Sequence, residues 1–290
     1  MSNLFVVLND KIIPAAEATV LINDLSIQRG YGIFDFFKVV DGKPVFLDDH
    51  LDRFYNSAGQ MRLQVKHSRD ELKELLYALI DKNQLPSSGI RITLTGGYSP
   101  DGFSIAEPNL IITQQQFQID REAAMAGTRL VTYHHQRQFA QVKTIDYLMA
   151  IWLRNFISEN QADDVLYQHD NIISECPRAN IFIVTQDGAL VTPVNNLLKG
   201  IIRKQVLQLA RTRFPVAERA VTLDELYDAR EVFITSTTKN ILPVVQVDGR
   251  MVGDGKPGEM TKALQEDLSE MIDQHLSLQT KITPLNSLSS

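Results

Sequence analysis

Four short segments of the chain carry residue types that could do chemistry: residues 49–53, the stretch around Lys143, the stretch that follows Glu175, and residues 200–203. The guanidinium of Arg53 could fork onto a phosphate or a carboxylate. The charged form of an amine is disfavoured among apolar neighbours such as those around Lys143. A helix that opens near Gly200 would offer free backbone N–H groups to an anion.

Each of these segments also has an ordinary structural interpretation. A helix-borne arginine often lies in a surface ion pair, and a lysine such as Lys143 often packs only its aliphatic stem. Glu175 could be a surface carboxylate, and Thr237 could be a hydroxyl at the end of a strand. Taken singly, none of the segments predicts a particular activity, so their order and spacing have to decide.

The order and spacing of these segments resemble the class IV aminotransferase family. This family includes branched-chain aminotransferases, D-amino-acid aminotransferases and aminodeoxychorismate lyase. The resemblance covers most of the chain, from about residue 5 to about residue 252. It is carried by GYGIFD at 30–35, HLDRFYNSA at 50–58, KTIDY at 143–147, ISE at 173–175 with NIF at 180–182, LKGIIR at 198–203, and TSTT at 235–238 with LPV at 242–244. Glu175 follows Lys143 by 32 residues (175 − 143), which is close to the family interval.

The resemblance implies that the protein binds pyridoxal 5′-phosphate (PLP). Lys143 matches the Schiff-base lysine, which also moves the proton from the substrate Cα. Glu175 matches the carboxylate that faces the pyridine nitrogen and keeps it protonated. Arg53 matches the arginine that clamps the phosphate. The other implied cofactor contacts are the N–H groups of Ile201 and Ile202, the Thr237 hydroxyl, and Tyr147. No metal site is predicted.

The residues that would contact the substrate match the family less closely. D-amino-acid aminotransferases carry an arginine and a histidine in a loop that traps the substrate carboxylate. The corresponding positions here are Asp101 and Phe103. Branched-chain enzymes use an arginine on the preceding strand with a tyrosine two residues before it. Arg91 matches that arginine, but Gly89 replaces the tyrosine.

We therefore predict substrate contacts from Phe34, Arg91, Arg178 and Thr238. The hypothesis is that at least one of the two arginines meets the substrate carboxylate, because a buried carboxylate needs a charged or multiply donating partner. The alternative for Arg178 is an ion pair with Glu175 or Asp146. The alternative for Arg91 is a surface charge at the edge of a strand.

The predicted activity is transfer of an amino group from an amino acid, branched-chain-like, to a 2-oxo acid. One alternative is a 4-amino-4-deoxychorismate lyase. Ala179 and Asn180 after Cys176 favour it, whereas Asp101 disfavours it, since the lyase has an arginine in that loop. A non-catalytic PLP-binding relative is the third possibility, and the retained cofactor residues argue against it. The family also implies a homodimer in which residues 96–103 close the active site of the other subunit.

Hydrophobic periodicity predicts the elements that must position these residues. Helices are expected from Asp48 or Asp49 to about Met61, over 68–83 with a capping box at Ser68 and Glu71, over 147–157, from about 200, and over 258–274. A hairpin is expected over 4–14, a second hairpin over 33–40 and 44–47, and strands over 90–95, 110–114, 129–133, 164–167, 181–185 and 231–235.

Because strands and helices intermix without strict alternation, we predict an α+β fold. The resemblance implies the two-domain D-amino-acid aminotransferase-like PLP fold (fold type IV). The domains would be an N-terminal domain at 1–118, a linker at 119–127 and a C-terminal PLP-binding domain at 128–290.

Composition limits the partners of the protein. The 290 residues carry a net charge of −6 with scattered lysines and arginines, so no nucleic-acid or membrane partner is expected. The chain has one cysteine, which fits a reducing, cytoplasmic compartment. The start of the chain shows no signal-peptide pattern, and no apolar stretch approaches the roughly 20 residues of a membrane helix. We predict a soluble cytoplasmic protein whose partners are small molecules.

Overall fold

The computed structural model describes residues 4–116 and 127–279, and the chain divides into two compact units. The first unit comprises Met1–Gln118, Lys143–Ile145 and Ile272–Ser290. The second comprises Ile119–Val142 and Asp146–Met271. The predicted linker at 119–127 lies outside the described residues, except for Gly127. The short return of the chain to the first unit at Lys143 places the candidate catalytic lysine there.

An antiparallel sheet forms the centre of the first unit. Within residues 4–116 it has six strands in the order β2-β1-β6-β5-β3-β4. The strands are β1 Phe5–Leu8, β2 Lys11–Pro14, β3 Gly32–Val40, β4 Lys43–Pro44, β5 Ser87–Thr95 and β6 Leu110–Gln116. In the register of β3 and β5, Phe36 lies opposite Arg91 and Lys38 lies opposite Gly89. The predicted substrate residue Arg91 therefore lies beside the strand that carries Phe34.

The helical segments among residues 4–116 are the 3-10 turn Ala15–Glu17, α1 Leu25–Arg29, α2 Leu47–Gln60 and α3 Arg69–Asn83. In the first unit, α2 packs against β3, and α3 packs against β1 and β6. The capping box predicted at Ser68 and Glu71 is confirmed at the start of α3. Helix α2 begins at Leu47 because Phe46 adopts a left-handed conformation (φ 52°), and no side chain caps it. Asp48 and Asp49 therefore lie in its first turn, where the helix dipole favours negative charge. The predicted strand at 44–47 is correspondingly shortened to β4.

A mixed sheet forms the centre of the second unit. Its strands are β7 Thr128–His134, β8 Asp164–His169, β9 Ile172–Ile173, β10 Glu175–Cys176, β11 Ala179–Val184, β12 Leu190–Thr192, β13 Val216–Glu218, β14 Glu231–Ser236, β15 Asn240–Val247 and β16 Arg250–Met251. Their main order is β13-β12-β11-β14-β15-β7-β8-β9. β7 runs parallel to both β8 and β15, whereas β11, β14 and β15 pair antiparallel. The α+β prediction is thereby confirmed.

The remaining helices are α4 Leu148–Trp152, α5 Arg154–Glu159, α6 Ile201–Ala210, α7 Leu223–Tyr227 and α8 Glu259–Leu278. The single helix predicted over 147–157 is divided at Leu153, which is fully buried. Helix α8 extends beyond its predicted end at residue 274. No helix in the described part of the chain is both long enough and apolar enough to cross a membrane.

Candidate active site

The backbone of Lys143 is fixed by strand β3 and helix α2. The Phe34 N–H donates to the Lys143 carbonyl at 2.9 Å, and the Ile145 N–H donates to the Gly32 carbonyl at 3.1 Å. The Lys143 N–H donates to Oγ of Ser57 in α2 at 3.4 Å. Residues 143–145 thus extend the sheet beside the start of β3. These contacts set the direction in which the lysine side chain leaves the backbone.

The ring of Phe34 joins two predicted site residues. Nζ of Lys143 lies 4.5 Å from the centroid of this ring, and the guanidinium carbon of Arg91 lies 4.0 Å from it. Phe34 is only 4% exposed, so its ring is a fixed platform. Each cation gains from the negative face of the ring, but the two cations repel each other. The arrangement therefore favours an anion beside Lys143 and Arg91.

Arg53 is oriented by a buried carboxylate. Nε and Nη2 of Arg53 donate to Asp35, each at 2.8 Å, and Nδ1 of His50 lies 2.7 Å from the same carboxylate. Because a carboxylate only accepts, the Nδ1–H of His50 is the donor. Asp35 and His50 are at most 1% exposed. Nη1 of Arg53 has no hydrogen-bond partner among the described residues and can meet an anion.

Burial and charge act in opposite directions on this group of three. Burial alone would raise the pKa of Asp35, but the Arg53 guanidinium and the His50 ring hold that pKa well below its usual range. Burial lowers the pKa of His50, which keeps the imidazole neutral. One positive and one negative charge therefore lie side by side in the interior of the first unit.

The change Asp35→Ala is expected to destabilise the protein by about 3–5 kcal/mol, because it leaves Arg53 without its buried counter-charge. Urea unfolding followed by circular dichroism measures this difference. Asp163→Ala is the matched control, since Asp163 binds Arg129 at 2.9 Å but is 42% exposed. That variant is expected to lose less than about 1 kcal/mol. Equal unfolding curves for Asp35→Ala and the wild type would contradict the stabilising role of this pair.

In the second unit, Glu175 lies in a pocket of hydrogen-bond donors. Oε1 accepts from Nε and Nη2 of Arg137 at 2.8 and 2.6 Å, and Oε2 accepts from the Leu198 N–H at 2.9 Å. Arg137 is itself held by the Ala140 carbonyl at 2.7 Å. The carboxylate is 4% exposed, and these donors favour its ionised form.

Arg137 is a site residue that the sequence patterns do not predict. It lies in the polar stretch between β7 and Lys143, which has no periodicity that singles out one residue. The available signal is indirect: a buried glutamate requires a strong donor. Arg137 is the basic residue six positions before Lys143 that can supply one.

The start of helix α6 is held against β11 by Asn180. Its Nδ2 donates to the Leu198 carbonyl at 2.7 Å, and its Oδ1 accepts from the Gly200 N–H at 3.1 Å. A Cβ at residue 200 would lie 2.2 Å from that Oδ1, so only glycine fits. No side chain caps α6, whose first residues are Ile201 and Ile202. Such an uncapped start is suited to a phosphate.

Three predicted residues lie near the ends of elements in the second unit. Thr237 and Thr238 form the turn after β14, where Thr238 Oγ1 lies 3.3 Å from Ser236 Oγ. Tyr147 directly precedes α4. One hydroxyl in β14, Oγ1 of Thr235, is buried and has no hydrogen-bond partner among the described residues.

The structure places Arg178 at the surface and not in an ion pair with Glu175. Its side chain is 65% exposed, and its guanidinium lies 3.9 Å from Asp164. The ion pair with Glu175, the alternative for Arg178, is made by Arg137 instead.

These side chains fit PLP chemically. Lys143 would supply the amine for a covalent link, and Glu175 would supply a buried carboxylate for a pyridine nitrogen. Arg53 and the uncapped start of α6 each offer donors of the kind that a phosphate accepts. The unpartnered hydroxyl of Thr235 is a further donor.

Comparisons with known proteins agree with this chemistry. The family described as amino-transferase class IV matches residues 32–247. The chain is 30% identical to D-alanine aminotransferase of Bacillus licheniformis over 273 residues, which are 92% of this chain and 96% of that protein. It is 29% identical to D-alanine aminotransferase of Staphylococcus aureus (strain COL), over 92% of this chain and 98% of that one.

Solved structures of aminotransferases share the fold. The branched-chain amino acid aminotransferase of Escherichia coli superposes with a TM-score of 0.84 at 26% identity, over 94% of this chain and 95% of that one. The branched-chain aminotransferase of the thermophilic archaeon Thermoproteus uzoniensis, solved with norvaline, gives a TM-score of 0.83 at 24% identity, over 93% of this chain and 94% of that one. The expected fold type is confirmed. The matched family and the shared fold establish that the chain belongs to the class IV aminotransferases, enzymes that depend on PLP.

Proposed function

We propose that this aminotransferase takes its amino group from an apolar, branched-chain-like amino acid and gives it to a 2-oxo acid. The observation that carries the proposal is the grouping of Lys143 and Arg91 on the ring of Phe34. A reactive amine beside a cation is what an amino acid requires, since its α-carbon must meet a base while a carboxylate is held.

We assign the chemical roles as follows. Lys143 would bind the cofactor covalently, and after the substrate amine has displaced it, its free Nζ would take up the proton from the substrate Cα. Glu175, held ionised by Arg137, holds the proton on the pyridine nitrogen. PLP, when bound, supplies the electron sink for the charge that develops on the substrate Cα. Arg53, the N–H groups of Ile201 and Ile202, and the Thr237 hydroxyl would hold the phosphate, and Tyr147 would be a further cofactor contact.

Phe36 supports an apolar donor side chain. Residues 34 and 36 point to the same face of β3, so the Phe36 ring shares a face with Phe34. A Cβ at Gly89 would lie 2.3 Å from Cζ of Phe36, so this ring fills the space of the absent side chain. Branched-chain enzymes have a tyrosine at the position of Gly89 on β5. In this chain the aromatic ring beside Arg91 comes from Phe36 on β3 instead. Because it has no hydroxyl, this ring favours apolar over polar groups.

The loop after β5 offers no cation for a substrate carboxylate. The Asp101 carboxylate accepts hydrogen bonds from the N–H groups of Phe103 and Ser104 and from the hydroxyls of Ser99 and Ser104, at 2.6–3.1 Å. These bonds, above all those from Ser104, hold the pKa of Asp101 well below its usual range. An ionised Asp101 repels a carboxylate, which leaves Arg91 as the stronger candidate for binding one.

Spectroscopy with single amino acids tests the proposal. The holoenzyme is mixed with one L- or D-amino acid at a time, and conversion of bound PLP to pyridoxamine 5′-phosphate is followed as loss of the visible absorption band. We expect L-valine, L-leucine and L-isoleucine to drive this change. The identity with D-alanine aminotransferases supports a second candidate, D-amino-acid donors, and a response to D-alanine alone would favour it. Pyruvate release from aminodeoxychorismate without amino transfer would overturn both.

The changes Arg91→Leu and Arg178→Leu test which arginine holds the substrate carboxylate. Loss of a charge-assisted hydrogen bond is expected to raise KM for the amino donor about tenfold or more while leaving PLP bound. Since Arg178 lies near Asp164, we expect the larger effect at Arg91. KM from steady-state kinetics and PLP content per chain are the measurements. Arg129→Leu, at an exposed arginine paired with Asp163, is the control.

If both single variants and the double variant retain the wild-type KM for every accepted donor, the carboxylate is held by another group.

We also propose a homodimer, in which residues 96–103 close the active site of the other subunit. Exposed apolar side chains of the first unit support a contact with a second copy: Leu21, Ile22, Ile27, Phe103 and Ile105. Light scattering of the active enzyme is expected to give twice the 32.7 kDa mass of the chain. An active monomer at the assay concentration would remove this proposal.

A cytoplasmic location is likewise proposed, supported by the single, buried Cys176.

A further inference from the structure

Two histidines and an aspartate lie together at one edge of the second sheet, apart from the residues assigned to PLP. His134 is the last residue of β7, His169 is the last residue of β8, and Asp170 begins the turn that follows. β7 and β8 are adjacent and parallel, with His134 opposite Gln168. The parallel pairing brings the ends of both strands together, and the two imidazoles are in contact there. All three side chains are exposed.

The geometry of these side chains is close to that of a metal site. The His134 and His169 ring centroids are 4.7 Å apart, and the ring planes are inclined by 32°. Nδ1 of His169 lies 3.2 Å from Oδ2 of Asp170. One ligand atom from each residue can be chosen so that all three lie within 4.8 Å of one another. In a tetrahedral site with bonds of about 2.0–2.1 Å, the ligand atoms are about 3.4 Å apart. Side-chain shifts of about 1–1.5 Å would therefore bring these three ligand atoms to bonding distance from one ion.

The backbone that carries these ligands is well defined. The His135 N–H donates to the Gln168 carbonyl at 3.0 Å, directly beside His134. Asp170 and Asn171 have φ values of 50° and 65° in the tight turn between β8 and β9. The Cα positions are thus set by strand pairing, and only exposed side-chain rotations remain to be fixed. Such preorganisation lowers the entropy cost of binding an ion.

We propose that His134, His169 and Asp170 bind one divalent first-row transition metal ion. Two imidazoles and one carboxylate are ligands that Zn²⁺ uses with water in an open position, and they equally suit Ni²⁺ and Cu²⁺. The ion ties the end of β7 to the turn between β8 and β9. The chain runs from these two points to Arg137 and Glu175, three and five residues further on. A bound ion therefore stiffens the two segments that lead to this pair.

Calorimetric titration of the tag-free holoenzyme with ZnCl₂, in the absence of amino acids, tests the site. We expect saturable binding of one ion, and an affinity lowered at least about tenfold by His134→Ala and by His169→Ala. Zn²⁺ is expected to raise the Tm of the wild type but not that of the double variant. His67→Ala is the control, because His67 pairs with Asp10 at 2.8 Å in the first unit.

Turnover without added metal is expected to be unchanged in the His134 and His169 variants, which shows that they fold. The visible spectrum of bound PLP is expected to be unaffected by Zn²⁺, which separates this site from binding at Lys143. Absence of saturable Zn²⁺ binding, or binding that the double variant retains, overturns the proposal.

Discussion

Replacing Lys143 with alanine is expected to remove turnover, with a fall in kcat of at least about a thousandfold and no loss of fold. In the proposed roles of Lys143, the variant loses both the amine that would bind PLP covalently and the base that would take the substrate proton, and general-base catalysis alone contributes about 10²–10⁴-fold. The backbone contacts of Lys143 do not involve its side chain, so the pairing of residues 143–145 with β3 is retained. Borohydride reduction followed by intact mass analysis is the direct measurement. The wild type is expected to gain the mass of the reduced cofactor, and the variant is expected not to.

Lys38 provides the matched control for this experiment. It is a second lysine of the first unit, it is 4% exposed, and burial lowers its pKa to about 8. More of its amine is therefore neutral, and so nucleophilic, near neutral pH than is usual for a lysine. Lys38→Met is expected to retain both turnover and the reduced adduct. A cofactor adduct on Lys38, or on any other lysine of Lys143→Ala, would show that the assignment of Lys143 is wrong.

Replacing Glu175 with glutamine is expected to leave PLP bound and to slow the chemical step by about a thousandfold. A neutral amide cannot balance a protonated pyridine nitrogen, and a loss of about 4 kcal/mol corresponds to that factor. The amide oxygen can still accept from the Leu198 N–H or from Arg137, so the local backbone is preserved. Single-turnover absorbance changes with one amino donor isolate the chemical step from product release.

The control for Glu175→Gln is Asp163→Asn, which removes the charge from another carboxylate paired with an arginine. It is expected to keep the wild-type rate. A second comparison concerns Arg137→Leu, which removes the donor and leaves Glu175 in place. We expect this variant to lose rate in the same step. Wild-type single-turnover rates in Glu175→Gln would exclude Glu175 as the partner of the ring nitrogen.

Much of the fold follows from local patterns in the sequence. The capping box of α3 is readable because Ser68 and Glu71 satisfy the first N–H groups of the helix reciprocally. The start of α2 is not readable, because a left-handed Phe46 is imposed by packing, with its N–H donating to Nε2 of His275. The break at Leu153 has the same origin, since its burial in a local apolar cluster outweighs helix propensity.

The candidate site is predictable only as far as its residues occur in recognisable segments. Lys143, Glu175 and Arg53 stand in such segments, and the expected activity class is confirmed by the matched family. The partners of these residues are long-range contacts. Arg137 reaches Glu175 across 38 residues, and Phe36 fills the space at Gly89 only through the register of β3 and β5. No local pattern encodes a contact of that kind, since it depends on strand pairing.

The pairing of residues 143–145 with the start of β3 has a consequence for the modularity of the protein. The Phe34 N–H and the Gly32 carbonyl are satisfied by residues more than one hundred positions further along the chain. A gene fragment that ends after β6 would encode the whole six-stranded sheet and yet leave this edge of β3 unpaired, open to another chain. During synthesis the same edge stays open until Ile145 has left the ribosome, and contacts of such sequence separation form late. The N-terminal unit is therefore not a module that can be exchanged between proteins by joining at residue 118, because its completion depends on the segment that brings the lysine.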